Sequence, residues 1–330
     1  MRRKKIVYLV LLLLLAACLP AKAQKPVISP AWAKGALSDD KLLRQVQFLA
    51  DPACEGRRTG TAGSARAAAW LAGRFREIGL QPCDSSYFQE FRLADGTTGQ
   101  NVAGIIPGTA KGRYVIVAAH YDGLGILNGK LYPGADSNAS GVVALLSLAE
   151  MLREMNDVDM FYGSSVLFVA LDGKMLNMSG SQALWKRISE GSLTDPSTGR
   201  PITRDQLSLM VNLDQLGCST APLKSGDRSY LILLSEEGSA FRNTLSYCNG
   251  RYAGGLELGF DYYGSADFTR LFYRRICDQK VFLDHGVRSV MFTSGITMNN
   301  NKPTDTASSL DIPVFKKRIA LIFYWLTKVL

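Results

Sequence analysis

The stretch Pro133-Gly134-Ala135-Asp136-Ser137-Asn138-Ala139-Ser140-Gly141 is a polar turn that runs straight into an apolar helical run, Ser140 to Leu152. Just before it stands an apolar run of strand length, Tyr114 to Ala119, closed by His120-Tyr121-Asp122-Gly123. Outward from this pair the same alternation repeats. Ser165 to Leu171 and Leu207 to Leu213 read as strands, with Ser181 to Ile188 as the helix between them. Tyr230 to Leu234 and Val287 to Thr293 add strands, while Glu237 to Cys248 and Ile312 to Val329 add helices. Upstream, Leu42 to Leu49 and the Ala-rich Ser64 to Leu80 carry helical apolar spacing. Alternation of this kind predicts one α/β domain, with a mostly parallel central sheet and helices on both faces. A chain of 330 residues, 47% hydrophobic, can bury such a core.

The N-terminus reads as an export signal: Arg2, Arg3, Lys4 and Lys5, then an apolar run to Ala17 too short to span a membrane. Leu15-Ala16-Ala17-Cys18 has the form of a lipoprotein box, and Ala21-Lys22-Ala23 that of an ordinary signal-peptidase site. Both stay open; either makes the chain an exported cell-envelope protein, periplasmic or anchored by a lipid on Cys18, which is the only membrane attachment expected. The divisions expected are a signal over residues 1–23, a lead over 24–40 and the domain over 41–330. The net charge of +9 does not indicate nucleic acid, because residues 1–23 hold five Lys/Arg and no Asp/Glu, which leaves +4 for the rest. The apolar end of Ile312 to Val329 is flanked by Lys316-Lys317-Arg318 and contains Lys328, so it reads as a core helix.

In sheets of this type ligands gather at the carboxyl ends of the strands. His120 and Asp122 lie there, on the same side of an extended chain, so that the carboxylate can orient the imidazole. Phe168-Val169-Ala170-Leu171-Asp172-Gly173 and Val211-Asn212-Leu213-Asp214-Gln215-Leu216-Gly217 end in the same manner. With Cys54-Glu55-Gly56-Arg57-Arg58-Thr59-Gly60-Thr61 and Gln100-Asn101-Val102-Ala103-Gly104-Ile105-Ile106-Pro107-Gly108, these motifs form an ordered series. That series resembles the zinc-dependent aminopeptidases of the bacterial leucyl aminopeptidase type, whose wider family includes glutaminyl cyclases. It runs over nearly the whole mature chain.

The resemblance implies a site for two zinc ions, held by two histidines, a bridging aspartate, a glutamate and a further aspartate, with a second glutamate as general base. His120 matches the first histidine, Asp122 its orienting carboxylate, and Asp214 the aspartate that completes the same metal's set. The other matches depart from the pattern. Asp136 keeps the first acid of the family's paired aspartates, but Ser137 stands at the bridging one; Lys174 takes the general-base position and Met175 the glutamate ligand's. The second histidine is Asn301 in Asn301-Lys302-Pro303-Thr304-Asp305-Thr306, and a related motif reads Cys277-Asp278-Gln279. The chain holds two histidines, and His285 falls outside any ligand motif.

Without these ligands the expectation is a non-catalytic homologue with no cofactor, binding a peptide or protein partner in the old substrate cleft. The Lys174 ammonium is expected to replace the missing metal charge and to pair with Asp214, Asp136 or both. The alternative is an active metallo-aminopeptidase or glutaminyl-cyclase-like enzyme with an atypical zinc site, in which Asp136 and Asp172 would help bind metal.

Overall fold

The computed structural model describes residues 35–219, 223–236, 239–253 and 255–330. The expected signal over residues 1–23, and the expected lead as far as residue 34, lie outside the described residues. Eight α-helices are described among these residues: α1 Asp39–Leu49, α2 Ala62–Ile78, α3 Gly141–Asp157, α4 Ser179–Ser189, α5 Ala240–Cys248, α6 Ala266–Arg274, α7 Gln279–Asp284 and α8 Ile312–Val329. The main sheet has nine strands: β1 Gln81–Pro82, β2 Phe88–Arg92, β3 Thr98–Ile106, β4 Tyr114–His120, β5 Ser165–Leu171, β6 Leu207–Leu213, β7 Tyr230–Leu234, β8 Glu257–Gly259 and β9 Ser289–Thr293.

Their order is β1-β3-β5-β4-β6-β9-β7-β8, with β2 on the outer side of β3. The middle four strands, β5, β4, β6 and β9, are mutually parallel, whereas β3 joins β5, and β7 joins β9, antiparallel. The single α/β domain is therefore as expected, around a mixed sheet whose parallel part is its centre. Neighbouring strands alternate their facing residues. On β4, Val115, Val117 and Ala119 join a core shared with α1, α2, α3 and α8, while Tyr114, Ile116 and Ala118 join the core under α4 and α7. Burial on both faces explains why these strands are apolar throughout.

Local signals place the helix ends. Thr61 caps α2 by accepting from the Ser64 amide at 3.2 Å, and Gly79 ends it in the left-handed conformation at φ 85°. The last helix is a core helix, with Phe315, Ile319, Leu321, Ile322 and Trp325 fully buried; among the described residues no helix is long and apolar enough to cross a membrane. Packing begins before residue 41, because Ala36 and Leu37 are already buried. All five described cysteines are buried thiols outside any disulfide.

Candidate functional site

Three parallel strands deliver the site's central residues. His120 is the last residue of β4 and pairs with Leu171, so Asp172, Gly173 and Lys174 emerge beside it; Asp214 follows β6 directly. His120 is fully buried and Asp214 nearly so. Lys174 reaches into this corner, with Nζ 2.7 Å from Asp214 Oδ2 and 3.2 Å from His120 Nε2. The second carboxylate oxygen, Asp214 Oδ1, stands 3.6 Å from the same imidazole nitrogen.

On the far side of the ring, Nδ1 lies 3.1 Å from the Asp122 main-chain carbonyl and 3.4 Å from its carboxylate. Asp122 Oδ2 also accepts the Met175 amide at 2.9 Å. Asp122 thus fixes both the ring and the loop that carries Lys174. Cys277 adds a thiol 3.6 Å from Asp214 Oδ2, and Asp278, fully buried, accepts from the Ser181 hydroxyl.

The charges in this corner are set by pairing. Burial disfavours the Lys174 ammonium, but Asp214, with Cys277 and Asp278 behind it, reverses this and holds its pKa above the ordinary lysine range. Burial likewise works against an ionised Asp214, and the Lys174 ammonium overcomes it, holding the carboxyl well below its usual range. Two nitrogens at 3.2 Å share one proton between them. Lys174 is the stronger base, so Nε2 accepts from the ammonium and the ring proton sits on Nδ1, facing Asp122.

This arrangement bears on the family's zinc pair. The Nε2 lone pair and the Asp214 oxygen that would bind metal are both taken by one ammonium. At about 4 Å and an effective dielectric near 20, a charged lysine would repel a divalent ion by roughly 8 kcal/mol. Among the described residues no group of three or more His, Cys, Asp or Glu is arranged to hold a metal ion. The residues present do not fit the family's zinc centre.

Two other nucleophiles near the cluster are not activated. Lys174 is held protonated and cannot act as a base toward Ser137, whose amide is bound to Asp305 Oδ2 at 3.0 Å. Burial pushes the Cys277 thiol pKa up, so it is not a ready thiolate.

The structure separates the sequence motifs into two groups. His120, Asp122, Lys174, Met175 and Asp214 meet as the motifs indicate. Asp136 does not join them: Oδ1 accepts from the Ser140 hydroxyl at 3.0 Å and from the Gly217 and Cys218 amides at 2.8 and 3.2 Å. Of the two acids expected to pair with Lys174, singly or together, Asp136 is held by these contacts instead, and Asp214 is the acid that Lys174 meets among the described residues. Asp172 is similarly committed, to the Thr59 hydroxyl at 2.7 Å and the Gln100 and Gly173 amides. Asn301, grouped with the cleft on its motif, is exposed at φ 56° and makes no hydrogen bond to the cluster among the described residues. His285 stacks on Trp185 at 4.3 Å, an exposed loop residue.

Several supporting residues have no metal-binding signature in sequence. Asp305 accepts the Asp136 and Ser137 amides and so shapes the turn. Asn138 spans four partners: its amide donates to the His120 and Leu213 carbonyls, and its oxygen accepts from Gly141 and Gln215. Arg57, fully buried, donates to the carbonyls of Tyr121, Leu49, Pro133 and Gly134 at 2.5–2.9 Å. Its neighbour Gly56 must be glycine, since a Cβ there would lie 2.5 Å from the Tyr132 carbonyl.

Fold and strand-end residues together define a scaffold of the zinc-exopeptidase class. The sequence model of peptidase family M28 matches residues 101–326, and the chain belongs to that family. Among solved structures, the zinc aminopeptidase BSAP from Bacillus subtilis superposes with a TM-score of 0.68 over 88% of this chain and 95% of its own, at 14% identity. Glutaminyl cyclase from Macrostomum lignano gives 0.66 over 93% and 94%, at 18% identity. Among curated proteins, BOS complex subunit ncln of Danio rerio is 32% identical over 127 residues, 36% of this chain and 21% of that protein. The chain therefore matches about a fifth of that relative's length.

Proposed function

We propose that this chain is a non-catalytic member of its family, without zinc, which holds a peptide or protein partner in the former substrate cleft. One observation carries the reading: Lys174 Nζ sits 2.7 Å from Asp214 and 3.2 Å from His120, on the two atoms that a metal would need. The Danio rerio relative is named as a subunit of a complex, which supports a role in partner binding. The N-terminal pattern read as an export signal, with Cys18 as a candidate lipid anchor, supports a cell-envelope location for that role.

Elemental analysis of the purified protein after zinc loading and dialysis, alongside an aminoacyl substrate panel, tests this. The expected result is less than about 0.1 zinc per chain and no turnover. One or two zinc ions per chain with turnover would establish the opposite reading, a metallo-aminopeptidase or glutaminyl-cyclase-like enzyme in which Lys174 moves aside.

A further inference from the structure

At the turn between α3 and β5 the residues 157–161 are exposed in a row, and three of them are large and apolar: Val158, Met160 and Phe161, at 47%, 49% and 59%. The backbone beneath them is tied down. The Val158 and Met160 amides donate to the Met155 carbonyl at 3.3 and 3.0 Å, and the Asp159 amide to the Asn156 carbonyl at 3.1 Å. Behind the tip, the Tyr162 and Gly163 carbonyls accept from the Thr109 and Ala110 amides, and the Ser164 amide donates to the Leu330 carbonyl. The three side chains are thus held outward by a fixed frame. Apolar side chains gathered in this way at the surface mark a contact with a membrane or with another protein.

The tip precedes β5, so it lies at the amino ends of the parallel strands, and the length of β5 puts about 23 Å between it and the Lys174 corner. The start of the described chain comes to the same end of the molecule. A Cβ at Gly35 would lie 3.9 Å from Glu154 Oε1, and Glu154 stands one helical turn before Val158. Residues 18–35 reach at most about 60 Å when fully extended. A tether of that length keeps the domain near a bilayer without choosing which face it presents, and the choice falls to the surface with the most to gain from lipid. Charges around the tip are mixed: Asp157 pairs with Arg153 at 3.4 Å, and Asp159 and Lys111 are exposed. They select no headgroup charge, and apolar area is what sets the tip apart. Another exposed apolar pair, Phe268 and Ile276, is set among Asp267, Arg270, Arg274 and Arg275 beside Cys277, at the cleft.

We propose that Val158, Met160 and Phe161 form a bilayer-seating tip, which enters the lipid headgroup layer beside the Cys18 anchor and turns the Lys174 cleft toward the aqueous side. It rests on the reading of Cys18 as lipid-bearing, and adds to the partner-binding role the direction in which the cleft faces. An aromatic ring with two apolar neighbours suits the boundary between headgroups and acyl chains. A row of exposed residues projects, and lacks the recess in which a protein partner buries its anchoring side chains.

The test uses the whole lipidated protein, reconstituted into phosphatidylcholine vesicles that carry a doxyl-labelled lipid. The five described cysteines are buried, so with Cys18 lipidated a cysteine introduced by Val158→Cys or by Phe268→Cys is the thiol open to an environment-sensitive dye. The expected result is quenching of the dye at 158 and none at 268, unchanged when phosphatidylglycerol is added to the vesicles. Met160→Ser with Phe161→Ser should abolish the quenching at 158 and, since both side chains are exposed, move Tm by no more than about 2 °C. A lipidated chain with no quenching at 158, with quenching at 268 instead, or with quenching at 158 that survives the serine pair overturns the seat while the anchor stands. An intact mass without lipid on Cys18 overturns the anchor, and the proposal with it, before any quenching is read. A dimer in detergent that the serine pair dissolves would make a second copy the occupant and overturn the seat as well.

Discussion

Two polar clusters lie side by side at the carboxyl ends of the strands, and they are held in different ways. Around Lys174 the partners are side chains: an ammonium, an imidazole and the Asp214 carboxylate. Around the turn at Asp136 the partners are mostly main chain. Arg57 donates to four carbonyls; Arg318, fully buried, donates to the carbonyls of Tyr230, Leu216 and Cys218; Asn138, Asp136 and Asp305 bind amides and carbonyls. Side-chain partners can be exchanged together, whereas backbone partners stay. The turn's residues, Ser137 apart, are therefore fixed by the backbone they hold, and a motif such as Pro133 to Gly141 attests to the fold more than to the reaction.

The contrast is broken or sharpened first at the turn. Replacing Arg57 by Met leaves the Tyr121, Leu49 and Pro133 carbonyls without a donor in a buried place, while Gly134 keeps the Ala139 amide. At about 1–3 kcal/mol for each unmet group, the loss should be about 3–9 kcal/mol. Expression of Arg57→Met is expected to give insoluble protein, or a urea transition shifted far below wild type; Arg318→Met should behave alike. A soluble, cooperatively folding variant of near-native stability would show that the backbone contacts carry less than the geometry indicates.

At the cluster the expected loss is smaller and, unlike that at the turn, reversible by a second change. Lys174→Met strands Asp214 as a buried charge, which should cost about 3–5 kcal/mol in urea unfolding. Adding Asp214→Leu removes the stranded charge, and most of the loss should return. Failure of the double variant to recover would mean that Asp278, rather than Asp214, is the group Lys174 neutralises.

How far the sequence reaches follows from the same distinction. The central strands are apolar on both faces, Val115 to Ala119 being fully buried, so continuous runs reveal them. β2, by contrast, is the polar and half-exposed run Phe88-Gln89-Glu90-Phe91-Arg92, without a readable pattern, and α6 is a short amphipathic helix that buries only Tyr273. The meeting of His120, Lys174 and Asp214 is legible because each lies at or just past the end of one of three adjacent, mutually parallel strands. The direction of the Asp136 and Asp172 carboxylates is not, because it is decided by amides and hydroxyls far along the chain, at Gly217 and Thr59. Cys277 and Asp278 were visible only as part of an altered motif, though a Cys-Asp step before the start of α7 was the available signal.

A pH titration separates the clusters more gently. Burial, followed by the Asp122 charge, pushes the Asp172 carboxyl up to about 6, and burial with the Asp136 charge pushes Asp305 to about 6. Both folded values lie above the ordinary carboxyl range, so their contribution to stability is full below about pH 3.9 and is lost as pH rises through 6. Asp214 has the opposite sign: its contribution is present above the ordinary range and is lost as pH falls below it. Stability should therefore climb by about 2–3 kcal/mol from pH 7.5 to pH 5 and fall steeply below pH 4. Asp172→Asn should flatten the climb and leave the acid fall in place. A urea midpoint that declines steadily from pH 7.5 downward would contradict these assignments.

The smallest expected effect is at Asn301, where the family pattern would place its second histidine. Asn301→His restores that residue type, yet the side chain is exposed and the atoms a metal needs from the buried corner remain bound to Lys174. Zinc content after loading and dialysis should stay below about 0.1 per chain, and Tm should move by less than about 1 °C. The reason is physical rather than a matter of counting ligands. A zinc site requires its donors to converge on one point free of positive charge, and one imidazole added at the surface changes neither condition. Stoichiometric zinc in this single variant would show that Lys174 yields its place readily, and the side-chain cluster would then be as exchangeable by a metal as it is by mutation.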